Sequence, residues 1–417
     1  MKRIAIFIDG TWNRPDAEHP TNVVRLSRCV AQHGVGAEGA AMPQVVLYSP
    51  GVGSGRGNNW AARRMDRLLG GALGWGLTDI IEDVYRSLVF LYEPGDEIMV
   101  FGFSRGAFAA RSLVGLIRSC GIPERDKLAQ IPEAMRRYRS RKPETHPDHP
   151  ETLAFRADFA PRVYVNDTEA KWRRRNGKPI NDAVRLGVAY LGVWDTVSAL
   201  GLPAFLPFAD AFNAQYRFHD AKLSSVVLRA RHAISIDERR KTFPSYPWSN
   251  MPELNEKYES NLVPSHMQQW FPGNHGSVGG GGSRVGLSSI ALNWIALGAQ
   301  SAGLALNWSE MDRVAPHFDV SERLDNKFGP VGVMGAVMSA VSKDRDGPSG
   351  MQELSMAALD RCKKDQSYPR NPTLRQIYHE IQEVDDDRRE TIRAARKWAD
   401  CGFTHLPQEV TRPREFM

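Results

Sequence analysis

A serine lies at the centre of the pentapeptide G-F-S-R-G, residues 102–106, in a setting that suits a nucleophile. The apolar run 97–101 leads into it, and a run with helical periodicity follows. A strand that turns sharply into a helix exposes the central side chain, and glycines on both sides avoid clashes of a Cβ with the neighbouring strand and helix. The pattern predicts Ser104 as a nucleophile at a helix N-terminus, where partial positive charge favours an anion. A glycine-rich turn that merely contains a serine is the alternative.

A serine hydroxyl is a weak nucleophile at neutral pH and needs a histidine that is itself oriented by a carboxylate. With this kind of turn, the acid and then the histidine are expected downstream of the serine, each after a strand. Asp195 ends the apolar run 187–194 and is our candidate acid; capping of the next turn is the other interpretation. Asp237 competes with it, but Arg239 and Arg240 follow, which favours a structural salt bridge there.

The base must come from eleven histidines. His275 lies in a glycine-rich loop, residues 270–282, where the backbone can approach closely and the ring can reach another loop. His232 is the alternative, but its strand-like or helical segment favours a histidine of the core. His146 and His149 have polar, proline-rich surroundings and are expected to be exposed. We therefore predict His275 as the base.

An oxyanion intermediate needs two backbone N–H donors. One is expected from Arg105, directly after the nucleophile, and the other from the loop after the first strand. That loop begins at Asp9, and Gly10 or Thr11 is the predicted donor, although Asp9 and Thr11 also suit an ordinary turn.

A second glycine-rich segment, residues 51–57, contains Gly51 and Gly53 and also follows a strand. It lacks the G-K-S/T ending of a phosphate-binding loop and the spacing of G-x-G-x-x-G. We predict a loop that borders the active site, and no nucleotide cofactor.

Strand-like and helical runs alternate along the chain, which predicts an α/β-hydrolase-like, doubly wound and mainly parallel sheet. Residues 1–310 are expected to form the catalytic domain, with insertions at about 124–179 and 200–218, the second a candidate lid. Residues 311–417 are expected to form a mainly helical extension packed on that domain. The predicted strands are 4–8, 45–48, 98–101, 186–194 and 226–236, and a helix is predicted over 77–92.

The composition and net charge limit which binding partners are expected. The 417 residues carry a formal net charge of +6, with 42% hydrophobic and 24% charged residues, as in soluble globular proteins. The charge suits anionic partners such as lipid headgroups; solubility alone is the other interpretation, and nucleic-acid binding is the weakest. Four scattered cysteines have no metal or redox spacing, which favours a reducing compartment and no metal.

The first residues run directly into a strand-like segment, so neither a signal peptide nor a transmembrane segment is predicted, and the chain is expected in the cytoplasm of the cell that makes it. The apolar stretch 290–306 contains polar residues and is shorter than a bilayer span, which indicates a buried helix.

With these residues in hand, the chain resembles the α/β-hydrolase domain family that includes the phospholipase effectors of bacterial type VI secretion. The resemblance implies a triad of Ser104, Asp195 and His275, hydrolysis of ester bonds, and glycerophospholipids as the substrates of the better-known members. It also implies delivery to a target cell by a secretion system, with an apparatus or immunity protein as partner. The matching segments, in the family's order, are 7–13, 48–53, 102–108, 192–197, 232–240 and 270–281.

The chain departs from this family in the histidine loop. Ser277 stands where the family commonly has Asp, and Gly282 where it has Tyr. This motivates a rival hypothesis, a hydrolase-fold binding module with a weak serine site. The main hypothesis is a serine esterase of phospholipase A type, with a carboxylesterase that does not act on lipids as its variant.

Cations of the first insertion are expected to contact a membrane surface; a solvated basic face is the alternative. They are Arg136, Arg137, Arg139, Arg141, Lys142, Arg173, Arg174 and Arg175.

Overall fold

The structure is a computed structural model that describes residues 1–10, 13–36, 39–51, 73–197, 222–240, 243–256, 264–326 and 344–383. The predicted lid at 200–218 and the last part of the predicted extension, residues 384–417, lie outside the described residues, as do Thr11 and Gly53.

The strands described are β1 Arg3–Ile8, β2 His33–Val35, β3 Ala41–Ser49, β4 Glu97–Phe103, β5 Val163–Tyr164, β6 Val184–Arg185, β7 Val188–Trp194, β8 Ala230–Ser235 and β9 His266–Phe271. Within the described residues, one seven-stranded sheet has the order β2-β3-β1-β4-β7-β8-β9, and a small sheet pairs β5 with β6. Neighbours in the large sheet are parallel, except that β2 is antiparallel to β3. This is the predicted α/β fold with a mainly parallel sheet.

All five predicted strands are present, with shifted ends. Strand β9 was not predicted because its residues, H-M-Q-Q-W-F, mix amides with apolar side chains and show neither alternation nor a continuous apolar run.

Helices cover both faces of the sheet, as a parallel sheet requires. The helices described are α1 Asn22–Cys29, α2 Leu73–Leu91, α3 Arg105–Cys120, α4 Ile131–Arg139, α5 Pro150–Phe159, α6 Asp167–Arg175, α7 Met251–Glu256, α8 His275–Gly279, α9 Gly286–Ser301, α10 Trp308–Val314, α11 Met356–Lys364 and α12 Tyr378–Glu383. None of the described helices has the length and apolarity needed to cross a bilayer.

The alternation of side chains along β1 divides the core into two layers. Ile4, Ile6 and Ile8 join the layer of α2 and α3, whereas Ala5 and Phe7 join the layer of α1 and α9. The rings of Phe7 and Phe101 stack at 4.6 Å on neighbouring strands. Because both faces of β1 and β4 are buried, the positions of their carboxyl ends are fixed by packing.

The first insertion folds onto this core as α4, α5 and α6. A fully buried ion triad lies inside it: Glu169 accepts from Arg156 Nε at 2.9 Å and from Arg173 Nη2 at 2.5 Å. The expectation that Arg173 contacts a membrane surface is therefore wrong, because its charge is neutralised in the interior. Other cations of the predicted set remain exposed: Arg136, Arg141, Lys142, Arg174 and Arg175.

Residues 344–383 pack against the edge strand β9. Leu354 forms a parallel bridge with Trp270, and the Ser355 N–H donates to the Trp270 carbonyl at 2.9 Å. Leu359 and Leu374 share a hydrophobic cluster with Trp270 and with residues of β8. This segment is built into the edge of the sheet; the division into a catalytic domain and an extension from about residue 311 stays a prediction.

We expect Glu169→Gln to lower the free energy of unfolding by about 3–5 kcal/mol, because it leaves two arginines buried without a countercharge. Asp158→Asn is the matched control in the same insertion, since Asp158 pairs with Lys178 at the surface; its effect should stay within about 1 kcal/mol. Urea denaturation of both variants measures the difference. Equal stability of the two variants would contradict the buried triad.

Candidate active site

The candidate residues lie at the carboxyl edge of the sheet, where the strand order reverses. Strand β1 has β3 on one side and β4 on the other, and crevices for ligands form at such switch points. Ser104 follows β4 and Asp195 follows β7, its neighbour in the sheet. The two ends are in register, with Phe103 opposite Trp194, and the Ser104 N–H donates to the Trp194 carbonyl at 3.1 Å.

The backbone at Ser104 is strained in the way the pentapeptide predicts. Its φ of 60° and ψ of −124° lie in a region that side chains rarely adopt. A Cβ at Gly102 would lie 2.4 Å from the Gly106 carbonyl oxygen, and one at Gly106 would lie 2.2 Å from the Ile8 carbonyl oxygen. Both glycines are therefore required for β4, β1 and the start of α3 to meet at this turn.

Asp195 also has a positive φ, 37°, and its side chain is fully buried. Its Oδ1 accepts from the Ser235 N–H at 2.9 Å and from Arg345 Nη1 at 2.7 Å. Burial alone would raise the pKa of Asp195, but the Arg345 guanidinium and the hydrogen bond with His275 outweigh it and hold the pKa far below its usual range. The carboxylate is therefore ionised.

His275 begins α8 and is buried beside Asp195, with its Nδ1 2.5 Å from Asp195 Oδ2. Its ring stacks on Phe103, centroids 4.5 Å apart, and meets the edge of Phe243 at 4.9 Å. Since Phe103 directly precedes Ser104, this stacking places the imidazole next to the serine turn. The structure brings His275 and Asp195 together, with Nδ1 directed at the carboxylate; their catalytic roles stay predictions.

The pKa of His275 is lowered from its ordinary value, chiefly because burial penalises the imidazolium; Asp195 opposes this shift. A neutral imidazole with Nδ1–H directed at Asp195 leaves Nε2 as a proton acceptor. The Ser104 side chain makes no hydrogen bond that caps α3. Hydrogen bonds between a serine nucleophile and its base are often long without substrate.

The histidine loop is anchored by contacts at the two positions where it departs from the family pattern. The Ser277 hydroxyl donates to the Leu324 carbonyl at 2.9 Å, and its N–H donates to Asn274 Oδ1 at 3.0 Å. A Cβ at Gly282 would lie 2.0 Å from Asn326 Oδ1, so the Asn326 side chain fills the space where a side chain would otherwise stand. Ser277 and Gly282 therefore belong to a loop that is tied to residues 324–326.

Asp237 holds the other end of this loop, and not through the salt bridge that we predicted. It accepts from the Gly273 N–H at 2.6 Å, from the Tyr368 hydroxyl at 2.8 Å and from the Asn371 side-chain amide. Gly273 has a φ of 101°, a conformation that favours glycine. Asp237 forms no salt bridge with the arginines that follow it in the sequence, because Arg240 pairs with Glu238 and Arg239 pairs with Asp344.

His232 is excluded as the base by its surroundings. Its Nε2 accepts from the Thr196 N–H at 3.3 Å, its Nδ1 lies 3.3 Å from Gln268 Oε1, and it is fully buried. Burial lowers its pKa to about 3, with Arg111 adding to the effect. It is the core histidine that the sequence favoured, and it fixes the turn after Asp195.

The loop after β1 is organised around Asp9, which is buried. Its carboxylate accepts from the Thr21 hydroxyl at 2.7 Å, the Tyr48 hydroxyl at 2.9 Å and the Gly10 N–H at 2.7 Å. Burial raises the pKa of Asp9 to about 6, although these hydrogen bonds oppose the shift. Gly51, also buried, lies two residues beyond the end of β3.

Gly10 does not suit the role of oxyanion donor that we predicted, because its one N–H is already directed at the Asp9 carboxylate. The loop itself is in the predicted place, since a Cβ on Gly10 would lie 3.2 Å from Ser104 Cβ. The N–H of Arg105 lies in the first turn of α3, where backbone donors have no partner within the helix.

Arg345 is the site residue that the sequence did not reveal. It follows Asp195 by 150 positions, in a segment without strand or helix periodicity, and nothing in its neighbours D-R-D-G-P indicates a catalytic role. Only the folded chain places its guanidinium on the Asp195 carboxylate.

A mainly parallel sheet with a strained serine turn at the switch point defines a hydrolase-type α/β fold. The sequence comparison gives the family: the model described as "T6SS, Phospholipase effector Tle1-like, catalytic domain" matches residues 2–297, well over half of the chain. The chain belongs to this family, as its six segments indicated.

One curated relative is the uncharacterized protein YEL023C of Saccharomyces cerevisiae, 26% identical over 260 residues. These are 61% of this chain and 33% of the yeast protein, so the match spans about a third of that relative.

Two solved structures are similar in part. An uncharacterized protein from Pseudomonas aeruginosa is 19% identical, with a TM-score of 0.38, covering 99% of this chain and 61% of that one. The Tle1 effector bound to the VgrG spike of the type 6 secretion system is 18% identical, with a TM-score of 0.34, covering 69% and 53%. Membership of the family rests on the sequence match and not on these likenesses.

We expect Gly106→Ala to destabilise the fold by about 1–3 kcal/mol or more, because the atom that its Cβ meets is a backbone oxygen of β1. At Gly187 the nearest atoms to a Cβ are 3.7 Å away, so Gly187→Ala should melt like wild type. Thermal denaturation followed by circular dichroism compares the two. A wild-type melting temperature for Gly106→Ala would contradict the steric account of the turn.

Proposed function

We propose that this protein is a serine esterase of phospholipase A type that hydrolyses acyl esters of glycerophospholipids through an acyl-enzyme. The observation that carries the proposal is the buried pair of Asp195 and His275, 2.5 Å apart, beside a serine held in a strained turn. That combination is the arrangement by which a hydroxyl becomes a nucleophile at neutral pH.

In the proposed reaction, Ser104 Oγ attacks the ester carbonyl while His275 Nε2 takes the hydroxyl proton. His275 then returns the proton to the alcohol that leaves, which yields an acyl-serine and a lysophospholipid. Water repeats the sequence with the same base and releases the fatty acid. Asp195 keeps Nδ1 protonated, fixes the ring and stabilises the imidazolium.

The tetrahedral intermediate carries a negative charge on the former carbonyl oxygen. We assign the Arg105 N–H as one donor to this oxygen, because it follows the nucleophile in the first turn of α3. The partial positive charge of that helix end adds to the stabilisation. Because the Gly10 N–H is occupied, Thr11 stays our candidate for the second donor.

Membership of the Tle1-like family supports phospholipids as the substrate class. The exposed cations of the first insertion add support, since they suit an anionic membrane surface: Arg136, Arg141, Lys142, Arg174 and Arg175. Delivery to a target cell by a type VI secretion system, with an apparatus or immunity protein as partner, belongs to the same proposal.

The histidine loop supports the enzyme over the rival binding module. The departures at Ser277 and Gly282 prompted that rival, yet both positions are occupied by contacts to Leu324 and Asn326 that hold the loop. The loop still presents His275 to Asp195. The substitutions at Ser277 and Gly282 therefore leave the pair of Asp195 and His275 in place.

Hydrolysis of a lipid panel tests the proposal. Vesicles of phosphatidylglycerol and phosphatidylethanolamine, and short soluble p-nitrophenyl esters, are offered to wild type and to Ser104→Ala of equal melting temperature. We expect fatty-acid release by wild type and a loss of about 10⁴-fold or more in the variant, since triad members act as a unit.

Cleavage of the soluble esters alone would replace the phospholipase with a carboxylesterase. Equal rates for wild type and Ser104→Ala, or no hydrolysis by either, would remove the enzyme proposal and leave the binding module.

A further inference from the structure

We propose that Arg345 is a positioning residue of the catalytic site: it fixes the carboxylate of Asp195 in the orientation that meets His275 and pairs its charge. The inference rests on the proposed function, in which Asp195 and His275 serve Ser104. It adds a residue from beyond the region that matches the family, residues 2–297.

Arg345 meets Asp195 through two parallel contacts. Nη1 donates to Oδ1 at 2.7 Å and Nη2 donates to Oδ2 at 3.1 Å, and both side chains are buried. Such fork-to-fork pairing fixes the plane of a carboxylate as well as its position. A single contact would leave the carboxylate free to rotate about its last bond.

The hydrogen bonds that the described residues make to Asp195 are divided between its two oxygens. Oδ1 accepts from the Ser235 N–H and Arg345, and Oδ2 accepts from Arg345 and His275. Since the guanidinium and the strand fix the carboxylate from one side, Oδ2 is the oxygen that faces the imidazole. Arg345 therefore selects the orientation in which Asp195 can hold Nδ1.

The same guanidinium also binds Phe243, a residue whose ring contacts His275. Its Nη2 donates to the Phe243 carbonyl at 2.7 Å and its Nε to the same oxygen at 3.2 Å. The Phe243 ring contacts the His275 ring edge-on. Arg345 also donates to the Ser235 hydroxyl at 2.7 Å and to the Ser235 carbonyl at 3.0 Å. Its donors are directed at groups around His275 and not at its own segment.

The positive charge of Arg345 should lower the pKa of His275, and the pH dependence of activity measures this effect. An isolated Asp195 would attract the imidazolium strongly and raise the pKa of His275. The Arg345 guanidinium, a positive charge on the far side of Asp195, opposes this attraction. Burial lowers the pKa of His275 even though Asp195 raises it. Since the base must be neutral to accept the serine proton, activity then extends to lower pH.

Other charged groups near His275 largely offset one another. Glu238 raises and Arg240 lowers the pKa of His275, and the two are paired with each other at 2.8 Å. His232, which lies close to Asp195, is neutral because burial and then Arg111 lower its pKa to about 3. Arg345 is therefore the cation whose removal should change the charge at Asp195.

The test compares three variants by the pH dependence of kcat and kcat/KM with a soluble p-nitrophenyl ester. Arg345→Met removes the charge and the fork, and Arg345→Lys keeps the charge without the fork. Arg361→Met is the matched control, because Arg361 is a buried arginine of the same extension that donates to the Val320 and Glu322 carbonyls.

The activity of wild type should fall on the acid side of its pH profile, with a midpoint below about pH 6.5, the ordinary pKa of histidine. Arg345→Met should raise the midpoint of this acid limb by about one pH unit, because the positive charge beside Asp195 is lost. It should also lower kcat by about 100-fold, because the fork that orients the Asp195 carboxylate is lost. Arg345→Lys should keep the wild-type limb and lose less of kcat. Arg361→Met should lose stability and keep the wild-type pH profile per folded enzyme.

An acid limb in Arg345→Met that coincides with those of wild type and Arg361→Met would overturn the inference, and so would an undiminished kcat. If Arg345→Met does not fold, Arg345→Lys decides: an unchanged kcat removes the positioning role, and a lowered kcat with an unchanged limb supports it. Ser104→Ala is assayed alongside, because turnover that survives this variant would contradict the proposed function itself rather than the role of Arg345.

Discussion

The burial of the Asp195 carboxylate is the constraint on which the site depends. An ionised carboxylate in the interior is costly unless each oxygen is paired, and the four hydrogen bonds to Asp195 come from three separate parts of the chain. Strand β8 supplies Ser235, the histidine loop supplies His275, and the segment after β9 supplies Arg345. Pairing one charge therefore ties together the sheet, the histidine loop and residues 344–383.

The sheet supplies the other half of the geometry. Parallel strands whose ends are in register bring the turns after β4 and β7 together. The strand order reverses at the neighbouring β1, and ligands of open α/β sheets bind at such points. The strain at Ser104 is stored in a turn that two glycines permit and that buried strands hold on both sides. The Asp9 network then fixes the loop after β1 against the same turn.

The sequence revealed what local patterns encode. Apolar runs gave the buried strands, the pentapeptide gave the serine turn, and chain order pointed to Asp195 and His275. It did not reveal β9, whose glutamines interrupt the apolar pattern, or the partners of Asp237, which are Gly273, Tyr368 and Asn371. Nor did it reveal Arg345 or the engagement of Gly10, because long-range pairing and the direction of one N–H leave no local signal.

The most direct test of the central claim, that the buried Asp195–His275 pair activates Ser104, is covalent labelling with a fluorophosphonate followed by peptide mapping. The account predicts one phosphonyl group per chain, attached to Ser104 Oγ, and much slower labelling in His275→Gln of equal stability. An unmodified Ser104 in the folded protein, or labelling of Ser104 at the same rate without the imidazole, would contradict it.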